Sequence, residues 1–402
     1  MNKIWKTPRP LLPMYPGFSD SSEISHWISD IPAPLSADQL SLITHSIQFL
    51  QRKGAKSEYT YRGLRNEVER FLLYLFAHDM DPTDFRPGDI GQYLKFCQAP
   101  PYRWVMTSHY HRYLPDGTTE PRWRPFYVAN ADPRQEKVNR SPVSQASMQR
   151  QFSFLNQWYK NLLDYEVAKR NPVPVAKRES PYLTNDTDES VPKHFSKDEW
   201  VTILKSLIGL ADADPEWERA LFIILLMKTC YLRIADLADR PYYSPTMGDF
   251  YRYRGYLFLK VMSKRKKSRS VTVPEALEPF IIRYRETRAL TGLPLDGEKK
   301  PLISKGRGDG NVGVRQLNRI VNEAFQKIVE QLRNTDVPLS AKLGQASSHW
   351  LRHTGASIDA LWRPLPELAE ELGHSDPGTT GRVYVHSSRE DRARNGSGRA
   401  IS

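Results

Sequence analysis

Apolar residues recur at helical spacing in four stretches of the first 170 positions. Leu40, Ile43, Ile47 and Leu50 advance in steps of three and four behind the capping signal Ser36-Ala-Asp-Gln, which predicts an amphipathic helix. Tyr61, Leu64, Val68, Phe71, Leu72 and Leu75 mark a second helix from about Glu58. Tyr93, Leu94 and Phe96, behind Pro87-Gly-Asp-Ile, mark a short third. From Ser144 to about Val167, one face holds Met148, Phe152, Leu155, Trp158, Tyr159 and Leu162, and Lys169-Arg-Asn-Pro172 stops that helix.

The second half opens on Ser196 with Glu199 at the capping-box position. Residues Pro215 to about Thr229 are apolar enough for a core helix. Tyr256-Leu-Phe-Leu-Lys-Val-Met and Ser270-Val-Thr-Val read as strands, joined by Ser263-Lys-Arg-Lys-Lys-Ser-Arg269, so a β-hairpin with a basic tip is predicted. Helices follow at about 275–290, 313–333, 348–361 and 365–373, and a last one carries Tyr384.

Three stretches lack such a period. Residues 1–35 are proline-rich and read as an arm or extended segment. Residues 99–140 mix Pro, Arg, Tyr and Trp around the turn Leu114-Pro-Asp-Gly-Thr, which suits a hairpin-like insertion. Residues 171–193 combine prolines and charges and read as a linker. The expected fold is mainly α with a small β-hairpin or sheet in the C-terminal domain. The expected order is an arm at 1–35, a helical domain at 36–170 carrying the insertion at about 99–140, the linker, and a second domain at 194–402.

Composition narrows the class. A chain of 402 residues is long for one core, which makes two domains the prior. Lys+Arg total 58 against 46 Asp+Glu, a net charge of +12 with a sequence pI near 9.5. That excess suggests a polyanion partner, most often nucleic acid, although a basic protein without one is compatible with it. The two cysteines, Cys97 and Cys230, lie in apolar helical patterns and offer neither a disulfide framework nor a cysteine zinc site. The longest apolar run, Ala220 to Met227, is too short to span a bilayer, and the N-terminus lacks a signal-peptide core. The expected location is cytoplasmic, nucleoid-associated if the chain binds DNA.

Five segments carry chemistry. Arg233, in Cys230-Tyr-Leu-Arg-Ile-Ala-Asp-Leu, falls between two predicted helices, and Asp236 could hold its guanidinium; a structural Arg–Asp pair is the alternative. The hairpin tip presents Lys264, Arg265, Lys266, Lys267 and Arg269, as a solvated basic loop, a nuclear-localisation-like patch, or a lysine delivered into a DNA groove beside a phosphate. In Ser348-His-Trp-Leu-Arg-His-Thr-Gly, His349 and Arg352 share a helix face and suit one phosphate. His349 and His353 have zinc spacing, but Trp350 stands where a zincin has Glu, and no metal is expected. His374 and Tyr384 follow in Leu372-Gly-His-Ser-Asp-Pro-Gly-Thr-Thr-Gly-Arg-Val-Tyr-Val-His. In the insertion, Arg103, Arg122 and Arg124 interleave with aromatics, as in a loop that touches DNA or one that packs on itself.

In this order, these residues resemble the tyrosine recombinases, the phage-integrase type of site-specific recombinase. The resemblance covers Phe195 to His386. Arg233 with Asp236, Lys264 with Lys267 and Arg269 trailing, His349 and Arg352 in His-x-x-Arg, His374 in Leu-Gly-His-Ser, and Tyr384 before Val-His each match the family pattern in turn. The resemblance implies a two-domain DNA clamp: a helical core-binding domain and a catalytic domain that cleaves and rejoins strands through a 3′-phosphotyrosyl intermediate. It assigns nucleophilic attack to Tyr384, phosphate binding to Arg233, Arg352 and His374, proton acceptance to His349 and leaving-group protonation to Lys264. It implies double-stranded DNA at specific sites, integration or excision of a mobile element, a tetramer on DNA, accessory DNA-bending proteins, and no cofactor or membrane. A relaxing enzyme of the type IB topoisomerase kind, or a non-catalytic DNA-binding protein of the same fold, are the alternatives.

Overall fold

The computed structural model describes residues 3–18, 21–29, 31, 35–55, 57–140, 143–183, 193–262, 268–306, 310–374, 378 and 381. The chain separates into two compact units, Met1–Thr187 and Asp188–Ser402.

Unit 1 holds six helices among the described residues: α1 (Ser21–Ser29), α2 (Ala37–Gly54), α3 (Glu58–Ala77), α4 (Pro87–Gln98), α5 (Gln145–Asp164) and α6 (Val173–Arg178). Local chemistry sets several starts. The Ser36 hydroxyl accepts from Gln39 N at 3.2 Å while Gln39 Oε1 accepts from Ser36 N at 3.0 Å, a reciprocal cap on α2. Ser57 and Ser144 cap α3 and α5 in the same sense. The apolar faces then close on one core, where Phe71 meets Tyr93, Trp158 and Phe85 at ring separations of 4.8, 5.5 and 5.9 Å. The buried Trp158 indole donates to Ser46 Oγ at 2.9 Å, so the core leaves that N–H satisfied.

The first residues do not form an extended arm. A 3-10 turn at Lys3–Lys6, the helix α1 and the buried side chains of Trp5, Leu11 and Leu12 join them to the core. Glu69 of α3 is the reason. Its Oε1 accepts both Leu11 N and Leu12 N at 2.8 Å, and its other oxygen takes Arg112 of the insertion. Tyr113 Oη donates to Leu12 O at 2.9 Å and Arg65 Nη1 to Pro13 O at 3.2 Å. One buried carboxylate thus fastens the N-terminal segment and the insertion to α3. No sequence period records such a contact.

The 99–140 insertion turns at Leu114–Gly117, with an antiparallel bridge between Tyr113 and Thr119. Its two short strands, β1 (Val105–Met106) and β2 (Phe126–Tyr127), pair in parallel, so the insertion as a whole is not a hairpin. Trp104, Trp123 and Phe126 are buried, which makes much of its aromatic content core. The stretch 171–193, predicted as a linker, is helical in part, and its residues 184–192 lie outside the described residues. Residues Val173–Arg178 form α6, with Pro172 ahead of it and Val173 and Ala176 buried.

Unit 2 contains α7 (Lys197–Ala213), α8 (Glu218–Thr229), β3 (Phe250–Tyr253), β4 (Tyr256–Met262), β5 (Ser268–Thr272), α9 (Glu278–Glu286), α10 (Val314–Leu332), α11 (Val337–Gly344), α12 (His349–Asp359) and α13 (Leu365–Leu372). Helix α8 is the core helix, with nine of its residues buried. Helix α12 crosses it so closely that a Cβ on Gly355 would lie 1.9 Å from Lys228 O. The predicted pair β4–β5 is antiparallel, with Leu259 opposite Val271, and β3 adds a third strand on its other edge. Among the described residues no helix is long and apolar enough to cross a membrane.

Candidate active site

The cluster is built where α8 ends. Cys230 closes the helix, Tyr231 takes a left-handed conformation (φ 49°), and Arg233 is extended (φ −78°, ψ 147°) ahead of a 3-10 turn at Ile234–Asp236. A tyrosine at positive φ is strained and needs outside support. The buried Tyr231 has it. Its hydroxyl bonds to Asp359 and accepts Arg363 Nη1 at 3.2 Å, and its carbonyl accepts Arg352 Nη1 at 2.6 Å. The strained turn therefore aims a carbonyl at a catalytic candidate.

Arg352 is 1% exposed on α12. Besides Tyr231 O, it donates through Nη2 to Leu372 O at 2.6 Å and lies 3.3 Å from His374 Nε2. Guanidinium nitrogens only donate, so His374 Nε2 accepts and the ring proton belongs on Nδ1. His374 is placed by the cap of α13. Gly373 adopts φ 66°, and His374 N donates back to Ala369 O at 3.0 Å, as the Leu-Gly-His segment predicts. Burial first, then the charges of Arg352, Arg233 and Arg269, push the His374 imidazole down to about 4.

His349 begins α12 and is exposed, its ring edge-on to His353 at 4.4 Å. Partial desolvation and then the charges of Arg352 and Arg233 lower its pKa. His353 is lowered to about 4, first by desolvation and then by His349 and Arg352. At neutral pH the site presents neutral imidazoles beside two guanidinium cations. Such an arrangement attracts an anion and leaves ring nitrogens able to accept protons. Among the described residues the Arg233 guanidinium forms no ion pair, and no group of three or more His, Cys, Asp or Glu is placed to hold a metal ion.

No family model matches the chain, and no curated protein matches it in sequence. Solved structures do. The XerH site-specific recombinase, in a post-cleavage complex with a palindromic difH substrate, aligns with a TM-score of 0.55 at 14% identity, over 96% of this chain and 91% of that one. The Tn1549 transposon integrase in complex with circular-intermediate DNA aligns with a TM-score of 0.54 at 15% identity, over 89% of this chain and 99% of that one. The same integrase with transposon right-end DNA aligns with a TM-score of 0.54 at 13% identity, over 90% and 99%.

The chain has the tyrosine recombinase fold. The mainly helical architecture with a small sheet in the second unit agrees with the sequence expectation.

Within that fold the described residues bring Arg233, Arg352, His349 and His374 together. Lys264, Arg265, Lys266, Lys267 and Tyr384 lie outside the described residues. Asp236 plays a different part from the one its spacing suggested. It accepts the Arg233 backbone N–H at 3.0 Å and the guanidinium of Arg269, 33 positions away, at 2.9 Å. Arg269 also donates Nε to Glu371 O at 2.8 Å, while its buried Nη1 has no hydrogen-bond partner. Rather than reaching solvent from the hairpin, Arg269 fastens β5 to the Arg233 turn and to the end of α13. Glu371 adds to that joint, accepting Thr272 Oγ1 at 2.7 Å and Arg363 Nη1 at 2.7 Å. Neither Tyr231 nor Glu371 stood out in the sequence, since each acts through partners far along the chain.

In unit 1, Arg103 is exposed, Arg122 pairs with Glu120 at 2.8 Å, and Arg124 Nη1 donates to Pro121 O at 2.7 Å. Arg103 forms no ion pair among the described residues, so its charge is not offset as that of Arg122 is.

Proposed function

We propose that the chain is a site-specific DNA strand transferase that cleaves and rejoins DNA through a 3′-phosphotyrosyl intermediate. The observation that carries this reading is the convergence of Arg233, Arg352, His349 and His374 at the junction of α8, α12 and α13. The two fold relatives, whose structures hold DNA, support it.

In this reading Arg233 and Arg352 bind the non-bridging oxygens of the scissile phosphate, and His374 donates its Nδ1 proton toward the same group. The Tyr384 oxygen attacks phosphorus, its proton passes to neutral His349, and the bond to the 5′-oxygen breaks. Lys264 supplies the proton that makes this oxygen a hydroxyl. Rejoining reverses the step with a 5′-hydroxyl from either strand, so the bond energy is conserved. A pentavalent phosphorus gathers negative charge, and each fixed guanidinium contributes about 10²–10³ in rate by meeting it. Asp236 and Arg269 act as positioning residues.

We assign double-stranded DNA as substrate, a four-subunit assembly on two duplexes, and movement of a mobile element as the biological outcome. Incubation of the protein with a suicide duplex, nicked so that the short fragment bearing the released 5′-hydroxyl diffuses away, tests the chemistry. A protein–DNA adduct resistant to denaturation supports it. DNA binding without any adduct supports the non-catalytic alternative, and relaxation without strand exchange supports the topoisomerase-like one.

A further inference from the structure

A second gathering of arginines lies at the other end of α8. Arg219 opens that helix, about 15 Å along it from Thr229, where the cluster above begins. A cavity of about 470 Å³ there is lined by Trp217, Arg219, Thr287, Arg288, Gly306 and Glu323, among others. The volume is that of a ligand site.

The two guanidiniums in its wall are unusually short of partners. Neither Arg219 nor Arg288 forms an ion pair among the described residues, and the buried Nε of each has no hydrogen-bond partner. Among the described residues Arg219 Nη1 donates to Ser304 O at 3.4 Å, and Arg288 rests over the Tyr284 ring at 5.6 Å. Gly306 admits the first guanidinium, since a Cβ there would lie 3.3 Å from Arg219 Nη1. Two carboxylates line the cavity. Glu323 lies 3.6 Å from Arg319, and Glu216 is exposed. Burial first, then Arg288 and more weakly Arg319, lower the Arg219 pKa, and Tyr284 and Glu216 offset part of it.

Like charges packed side by side with donors unused are costly unless an anion relieves them. We propose that Arg219 and Arg288 form an oxyanion site that takes one phosphate group, separate from the scissile phosphate. Two guanidinium forks on one cavity suit a tetrahedral oxyanion. The phosphate belongs either to the DNA backbone away from the cut or to a free phosphate compound.

The experiment uses the full chain, with Arg288→Gln, Arg219→Gln and Arg288→Lys compared with the unaltered protein after thermal melting confirms folding. Inorganic phosphate is titrated calorimetrically in the absence of DNA. In parallel, affinity for a mixed-sequence duplex is measured across salt concentrations. A free-phosphate site shows as phosphate binding weakened about tenfold or more by either Gln variant, with partial retention in Arg288→Lys. A backbone site shows as a log–log salt slope reduced by about one in Arg288→Gln. Unchanged phosphate titration together with an unchanged slope overturns the proposal. The phosphate arm is independent of strand cleavage, so failure to form an adduct leaves it standing.

Discussion

In unit 1, Arg112 meets Glu69 and Arg70 meets Glu67 at 2.9 Å, while the buried Arg65 is held by Pro13 O. On the insertion surface Arg122 pairs with Glu120 and Arg134 with Asp132. Around the end of α8 the arrangement is different. Arg352, more buried than any of these, is held by two carbonyl oxygens and an imidazole, and Arg233 forms no ion pair among the described residues. A carboxylate neutralises a guanidinium; a carbonyl orients it and leaves most of its charge. The first set fixes a shape. The second retains a positive field, which adds to burial in depressing the pKa values of His349 and His374.

The sharpest way to break this comparison is to remove one arginine from each set. Arg352→Ala is expected to lower single-turnover cleavage by about 10³ or more, because it deletes a transition-state contact and frees Tyr231 O and Leu372 O. Arg112→Ala should leave the rate within the bound complex unchanged. It should instead cost about 3 kcal/mol in denaturant unfolding, by stranding the buried Glu69. Equal rate losses in the two variants would erase the distinction.

Gly355→Ala tests the packing beneath the cluster. With Lys228 O in the way, α12 must move off α8, and a loss of about 3 kcal/mol together with loss of cleavage is expected. Calorimetry and a cleavage assay on the same preparation check both. A variant with native stability would mean that the helix contact is looser than described.

Acidity gives a smaller and more selective effect. Folded His374 and His353 titrate near 4, below the ordinary 6.5 of the unfolded chain. Between those values the unfolded chain binds protons that the folded chain refuses, so stability falls as pH drops from about 6.5 to about 4. Cleavage should lose no activity to His374 protonation between pH 7 and about 5. Arg269→Gln removes one of the three charges that hold His374 down, so its acid limb should move toward neutral. An unmoved limb would show that Arg269 serves structure alone. Smallest of all, Arg122→Ala should leave the denaturant-unfolding midpoint essentially unchanged, since that arginine is 66% exposed.

What the sequence discloses is local. Ser36 with Gln39 and Ser196 with Glu199 are caps within one helical turn, and both appear where the pattern puts them. Gly373 ends α13 for the same kind of reason. The misses are long-range or weakly patterned. Trp5, Leu11 and Leu12 are buried because Glu69 binds backbone more than fifty positions away. Strand β3 alternates too little to announce itself, with one buried residue in Phe-Tyr-Arg-Tyr. Helix α11 is short and opens on Val-Pro. At the candidate site the residue types were legible, since chemistry fixes them. The Asp236–Arg269 pair and the Tyr231 carbonyl were not, because only the folded chain brings them to Arg233 and Arg352.

The central claim is that the field around Arg233 and Arg352 serves covalent attack by Tyr384. It is tested most directly by mapping the adduct formed on a suicide duplex. Digestion and mass spectrometry should place the phosphodeoxynucleotide on Tyr384, and Tyr384→Phe should bind the duplex with similar affinity and form no adduct. Attachment at another residue, or an adduct that persists in the Phe variant, would contradict the account.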